Sequence, residues 1–288
     1  MTLFGSPEDV RERLAATGYL ADDAIATTVF LADSLGKPLL VEGPAGTGKT
    51  ELAKAVATAA GADVVRLQCY EGLDEARALY EWNYRKQLLR IQAAGDQAWE
   101  ETHDDIFSEE FLLSRPLLTA IRQTEPTVLL VDETDKADVE VEGLLLEVLS
   151  DFQVTVPELG TIAATRRPFV VLTSNATREL SEALKRRCLF LHVDYPDADR
   201  EKAIVLTRVP DIAENLAEAL VRTVRTLRAL ELKKPPSIAE SIDWARTLLV
   251  LGIEDLDEAA VARTLGVVLK HSADQVRAVK ELSLDTPA

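Results

Sequence analysis

Eight consecutive residues, Gly43-Pro44-Ala45-Gly46-Thr47-Gly48-Lys49-Thr50, limit what this chain can fold into more than any other feature. They fit the pattern G-x-x-x-x-G-K-[ST]. They follow a short apolar run, 38–42 (PLLVE), and open a helical stretch, 49–60, that stops at Gly61. A strand, a glycine-rich turn and a helix in that order let successive backbone N–H groups turn toward a phosphate, and the helix N-terminus adds its positive dipole end. Lys49 is then placed to reach the β- and γ-phosphates, and Thr50 to ligate Mg²⁺.

The rest of the first two-thirds repeats the alternation. Short apolar runs at 64–69 (VVRLQC), 127–131 (TVLLV), 169–173 (FVVLT) and 189–193 (LFLHV) read as strands buried on both faces. Helical stretches between them predict a parallel sheet with right-handed crossovers. Two segments interrupt the pattern. Residues 73–94 and 109–124 both read as helical and flank an acidic loop, 95–106 (GDQAWEETHDDI), whose charges are those of a solvated segment. Residues 152–164 carry the alternating QVTV and then PELG, which predicts a β-hairpin. After Tyr195-Pro196 only helical patterns remain. Asp197 is placed to cap the first of them, and Ser237, after Pro235-Pro236, to cap a later one. The expected organisation is an α/β core over 1–195, with a helical insertion at about 73–124 and a hairpin at about 152–164, then a helical domain over 196–288.

Composition narrows the partners. Lys plus Arg is 32 and Asp plus Glu is 49, a net charge of −17 in 288 residues. That balance opposes general binding to nucleic acid or anionic lipid, and no stretch combines clustered cations with interleaved aromatics. Cys69 and Cys188 are far apart and lack zinc or redox spacing, which fits a reducing compartment. His103, His192 and His271 show no ligand spacing, so no metal beyond Mg²⁺ is expected. No apolar run is long enough to span a bilayer and the N-terminus lacks a secretory pattern. A cytoplasmic protein is expected.

A second motif follows the third strand. Val128-Leu129-Leu130-Val131-Asp132-Glu133 puts two carboxylates at the C-terminal end of a buried strand, where ligands bind in parallel α/β sheets. Asp132 is suited to hold Mg²⁺ through its water shell and Glu133 to polarise an attacking water.

The ordered set GPAGTGKT, VLLVDE, TSN and ALKRRC resembles an AAA+ ATPase. VDETDKAD, the hairpin ahead of FVVLTSN and the helical C-terminal lid resemble the MoxR branch. LQCYEGLDEARALYEWNYRKQLL and KKPPSIAESIDWA are most similar to CoxD-type members. The resemblance implies a P-loop AAA+ core, a five-stranded parallel sheet in the order 5-1-4-3-2 flanked by helices, followed by a small all-α lid. It implies ATP and Mg²⁺ as ligands. Nucleotide contacts would come from Gly43, Pro44, Ala45, Gly46, Thr47, Gly48, Lys49, Thr50 and Glu51, and metal contacts from Thr50 and Asp132. It makes Glu133 the catalytic carboxylate and Asn175 the sensor that aligns water. Arg187, with Arg186 as competitor, would be the finger entering a neighbouring subunit. Gly18-Tyr19-Leu20 lies where adenine is touched, and Gln68 could link Glu133 to the pore side. One departure stands out: Ala239 occupies the position of the lid arginine, so that either Lys233 or Lys234 takes over the γ-phosphate contact or sensing by the lid is weak.

The resemblance further implies a ring-shaped homo-oligomer, a hexamer by expectation, that remodels a protein client. The client class is a metalloenzyme under maturation or receiving its metal cofactor, of the molybdenum hydroxylase or carbon monoxide dehydrogenase type. A partner bearing a von Willebrand A domain is expected. Tyr80, Trp82 and Tyr84 could grip a client in such a ring, but packing within the insertion is the simpler expectation. Two alternatives are an AAA+ motor acting on nucleic acid and a nucleotide-gated scaffold with little turnover.

Overall fold

The computed structural model describes residues 2–94 and 105–282. Most of the acidic segment, including His103, lies outside the described residues. The chain divides into two compact units. Met1–Thr17, Ala21–Glu42 and Thr50–His192 form the first; Gly18–Leu20, Gly43–Lys49 and Val193–Ala288 form the second.

The first unit is built on a five-stranded parallel sheet. Its strands are β1 (Leu39–Glu42), β2 (Asp63–Gln68), β5 (Thr127–Asp132), β8 (Phe169–Ser174) and β9 (Leu189–His192), in the order β2-β5-β8-β1-β9. This is the expected order, and the fold is the expected α/β one. Every residue of β5 and β8 is buried, which is why both read as unbroken apolar runs. β2 is an edge strand, and Arg66 and Gln68 fall on one of its faces because strand side chains alternate. Helices α1 (Pro7–Ala16), α2 (Asp23–Leu35) and α3 (Lys49–Ala60) precede and flank it. Ser6 and Asp22 cap α1 and α2 by accepting from the amides of Asp9 and Ile25. Leu40, Leu129 and Leu172 from the sheet share one core with Leu117, Leu118 and Leu145 from later helices.

The insertion departs from the helical reading of 73–94 and 109–124. Only α4 (Glu75–Ala78), α5 (Tyr84–Ala94), a 3-10 turn at Glu109–Phe111 and α6 (Pro116–Arg122) are helical there. Between them β3 (Tyr80–Trp82) pairs antiparallel with β4 (Leu112–Ser114), in the register Tyr80↔Ser114 and Trp82↔Leu112. Arg115 pairs with Glu81 at 2.6 Å. Trp82 is buried edge-on against Phe107, ring centroids 5.2 Å apart, and Tyr80 packs on it in turn. Trp82 belongs to the same core as the sheet, and Tyr80 and Phe107 pack against that core, whereas Tyr84 is exposed. After α7 (Val139–Asp151) the chain forms a hairpin, β6 (Gln153–Val156) with β7 (Gly160–Ala163), with Val154 and Val156 turned inward. Helix α8 (Glu182–Arg187) then leads into β9.

The second unit's described residues beyond 193 are helical: α9 (Ala198–Arg208), α10 (Glu214–Ala229), α11 (Ile238–Val250), α12 (Glu258–Val268) and α13 (Ser272–Glu281). Leu220, Val224, Leu227, Trp244, Leu248 and Leu265 make its core. The Trp244 indole N–H is buried and donates to Thr264 Oγ1 at 2.7 Å. Asp197 caps α9 by accepting from the Arg200 amide at 2.8 Å, and Ser237 with Glu240 forms a capping box on α11. Glu201 on α9 is fully buried and takes both ends of the Arg228 guanidinium from α10, at 2.6 and 2.7 Å. Among the described residues no helix is long and apolar enough to cross a membrane.

Candidate functional site

The motif loop, Gly43–Lys49, lies in the second unit. Lys49 Nζ folds back to donate to the carbonyls of Gly43 and Pro44, at 2.8 and 2.7 Å. Thr47 Oγ1 donates to Pro44 O at 3.0 Å. The loop is a turn closed on its own lysine, with the ammonium held over its mouth. Two of its glycines are dictated by contacts. Gly46 has φ +75°, and a Cβ there would stand 2.3 Å from Ser237 Cβ and Oγ. A Cβ at Gly43 would stand 2.0 Å from the Val193 carbonyl oxygen. Only glycine fits positions so close to other chain atoms.

The first contact puts the N-terminus of α11 against the loop. Ala239 is the second residue of that helix, so the departure noted in sequence falls beside the motif. The alternative lysines are anchored through their backbone. The amides of Lys233 and Lys234 donate to the two oxygens of buried Asp274, at 2.9 and 3.2 Å, and Lys234 Nζ is 4.0 Å from Glu240. Gly18–Leu20 joins the same unit: a Cβ on Gly48 would be 3.7 Å from the Tyr19 ring, and Arg200 donates to Leu20 O at 2.8 Å.

The first unit gathers the carboxylates at the C-terminal ends of β5 and β8. Asp132 is almost completely buried. Its Oδ1 accepts from Thr50 Oγ1 at 2.9 Å and from Thr173 Oγ1 at 2.6 Å. Its Oδ2 accepts from Arg66 Nε at 3.1 Å and Nη2 at 2.5 Å. Thr50 and Asp132 thus offer a hydroxyl and a carboxylate side by side, a hard-oxygen pair that fits Mg²⁺ with waters or phosphate oxygens completing its shell. Among the described residues no three His, Cys, Asp or Glu side chains meet as a metal cage.

Glu133 follows with φ 56° and ψ 48°, a left-handed conformation costly for a residue with a Cβ. Two bonds fix it there: its amide donates to Thr173 Oγ1 at 2.9 Å, and its Oε2 accepts from Gln68 Nε2 at 3.0 Å. Gln68 Oε1 in turn accepts from Arg66 Nη2. Arg66, Gln68, Asp132 and Glu133 form one hydrogen-bonded network. The sequence alone assigns no role to Arg66, Thr173 or Asp135. The available signals were the i, i+2 pairing of Arg66 with Gln68 and a polar Thr173 ending an apolar run.

Asp135 positions the Asn175 turn. It accepts from the Asn175 amide at 3.1 Å, the Thr177 amide at 3.1 Å and the Thr177 hydroxyl at 2.5 Å. Burial pushes its carboxyl up, but these donors outweigh burial and hold it below the usual carboxylate range. Asn175 is half-buried after β8, and Ala176, beside it, has φ 55°. Cys69 lies under the cluster, its amide donating to Asp132 O at 2.8 Å. Burial first, then Asp132, Asp135 and Glu133, push its thiol up to about 12. It is therefore an inert packing residue. Arg186 and Arg187 end α8 and are exposed. Arg187 donates to Ser150 Oγ at 2.7 Å and Ala183 O at 3.2 Å, while Arg186 has no partner among the described residues. Glu51 pairs with Lys54 at 2.9 Å.

A parallel sheet with a phosphate loop after β1 and paired carboxylates after β5 defines a P-loop nucleotide-binding protein. Residues 39–194 match the family of ATPases associated with various cellular activities, AAA. The chain belongs to that family, whose membership supports ATPase activity and ATP-driven remodelling in general. It is 25% identical to an uncharacterized protein of Staphylococcus haemolyticus, over 88% of this chain and 93% of the relative. It is 26% identical to another of Staphylococcus epidermidis, over 87% and 91%. Among solved structures, a mutant of Thermotoga maritima RuvB superposes with a TM-score of 0.50 at 17% identity, over 99% of this chain and 73% of that one. That likeness shows the fold.

Proposed function

We propose that the protein is a Mg²⁺-dependent ATPase of MoxR type that hydrolyses ATP to remodel a protein client. The observation that carries this reading is the network in which Asp132 meets Thr50 while Glu133 is held by Gln68 and Thr173. Lys49 neutralises the β- and γ-phosphates. Thr50 and Asp132 hold Mg²⁺, which supplies further charge neutralisation when bound. Glu133 orients the attacking water, and Asn175, fixed by Asp135, aligns it. Gln68 restrains Glu133 until the nucleotide draws it into line.

The exposed end of α8 suits a cation delivered to a neighbouring subunit of a ring, a hexamer by resemblance. Arg186 is free to reach outward, whereas Arg187 must first release Ser150. The net charge of −17 favours a protein client over nucleic acid. The CoxD-type resemblance points to a metalloenzyme under maturation, of the molybdenum hydroxylase kind, with a von Willebrand A domain partner.

The test is capture of partners by Glu133→Gln in the presence of ATP, paired with phosphate release. Recovery of a metalloenzyme or a von Willebrand A protein, with turnover abolished, supports the reading. Wild-type turnover in that variant removes it. Ala239→Arg tests the lid: a charge-assisted contact to the γ-phosphate tightens ATP binding by about 1–2 kcal/mol. Unchanged affinity in calorimetry places that role elsewhere.

A further inference from the structure

We infer that the first unit carries a second ligand site, at the end of its sheet opposite the carboxylate cluster, for a small organic phosphate monoester with an apolar or aromatic body. A cavity of about 440 Å³ opens at the N-terminal ends of β1, β5 and β8. That volume lies within the roughly 300–1,000 Å³ of small-molecule sites.

Its floor is apolar and short of donors. Pro38, Pro126 and Pro168 each stand immediately before one of these strands, and proline has no N–H. The carbonyls of Pro38 and Pro126 are already taken by the amides of Leu189 and Asp63, at 2.8 and 3.0 Å. Phe169 and Val170 are buried beneath, and Phe152 forms one wall. A charged ligand group must therefore be held by side chains.

Those side chains are cations. Lys37, Arg166 and Arg167 line the cavity, and none has a carboxylate partner among the described residues. The Arg167 guanidinium stands 5.2 Å from the Phe152 ring centroid, and a Cβ at Gly36 would be 3.9 Å from its Nη1. The single lining carboxylate, Asp33, spends its Oδ2 on the amides of Leu3 and Phe4, at 2.6 and 3.0 Å. In a chain with 49 acidic and 32 basic residues, three cations against one acid reverses the local sign. A phosphate monoester brings nearly two negative charges and oxygens that match a guanidinium fork, while exposed Leu35 and half-buried Pro126 take its body.

The test is calorimetry on the full chain, with saturating ADP and Mg²⁺ occupying the motif loop. The probes are phenyl phosphate, AMP, inorganic phosphate and phenol. The expected result is that phenyl phosphate and AMP bind at least about tenfold tighter than inorganic phosphate, that phenol does not bind, and that R166A/R167A weakens phenyl phosphate about tenfold or more, the scale of losing a charge-assisted contact. R166K/R167K should retain part of the affinity. Unchanged ADP binding in both variants shows that they fold. In K49A, whose motif loop is disabled, phenyl phosphate binding should be unchanged. No binding to the wild type overturns the site, as does equal affinity in R166A/R167A or loss of the probe in K49A.

Discussion

The Glu201–Arg228 pair of the second unit and the Asp132–Arg66 pair of the first both set a buried carboxylate against an arginine, in nearly opposite surroundings. In the helical unit Glu201 and Arg228 have side chains 0% and 10% exposed. Arg228 also gives Nε to Pro236 O at 2.7 Å and lies 4.5 Å over the Tyr195 ring, and Glu201 also accepts from Ser241 at 2.8 Å. Nothing there is left over for a ligand. In the sheet unit Asp132 is as deeply buried, but its partner Arg66 is 50% exposed. A solvated guanidinium can be replaced by another cation at little cost, whereas a sealed one cannot. The sealed pair fixes chain: it holds Pro236, and so Ser237, at the position that leaves no room for a Cβ on Gly46. The open pair leaves a carboxylate whose counter-charge is exchangeable, which a cation-binding site requires.

The largest effect expected from this contrast is at Glu133, beside the open pair. Glu133→Gln keeps the shape and loses the charge that the proposed function assigns to polarising water. Phosphate release should fall by about 10²–10⁴, the scale of a lost general base, while ATP affinity by calorimetry stays within a few-fold. A turnover loss under tenfold would detach catalysis from the open network. Next in size is Arg228→Ala. Removing one member of a sealed pair strands a buried charge and should cost about 3–5 kcal/mol in urea unfolding. A loss below about 1 kcal/mol would show that water reaches Glu201 and that the two pairs are not different in kind.

The elements that set up this contrast were unequally legible. β5 and β8 are buried on both faces, so their apolar runs, and the carboxylates at the end of β5, stand out by composition alone. The motif loop needed its glycines and its lysine, and both are visible letters. Arg66 was hidden because its meaning depends on β2 lying beside β5 in the register Gln68↔Asp132, a pairing between residues 64 apart in the chain. The strands β3 and β4 were hidden for the same reason. Each is three residues long, and a partner about 30 residues away, rather than local pattern, makes Tyr80–Trp82 extended inside a stretch of helix formers. The Arg228–Glu201 pair belongs to the same class, since helical periodicity marks which face is buried and not which charges meet there.

Arg66→Ala should have a smaller effect than Arg228→Ala, because its guanidinium is half in water and Asp132 keeps its two hydroxyl donors. Unfolding in urea should shift by about 1 kcal/mol or less. A loss of several kcal/mol would make the open pair structural after all.

The smallest expected effect concerns Asp135, three residues beyond Asp132. All its recorded hydrogen-bond donors are neutral: two amides and one hydroxyl. Asp135 thus shares the permanence of the sealed pair without an opposing charge, and its carboxyl is held below the usual range by these donors against the opposing push of burial. The sign of the linkage follows. A carboxyl whose folded value is depressed stabilises the fold fully above its unfolded value, near pH 3.9, and that contribution fades as pH falls through the folded value. Asp135→Asn cannot titrate, so its unfolding free energy should fall less steeply than the wild type's below about pH 4, by at most the equivalent of one proton. At pH 7 the variant should be the less stable of the two, and the curves should converge toward low pH. Urea unfolding from about pH 6 down to the lowest pH at which both proteins fold would measure it. Parallel curves would mean that the Asp135 turn is held without its charge, and the permanence of the Asn175 position would then rest on the Thr173 and Ser174 side of β8 instead.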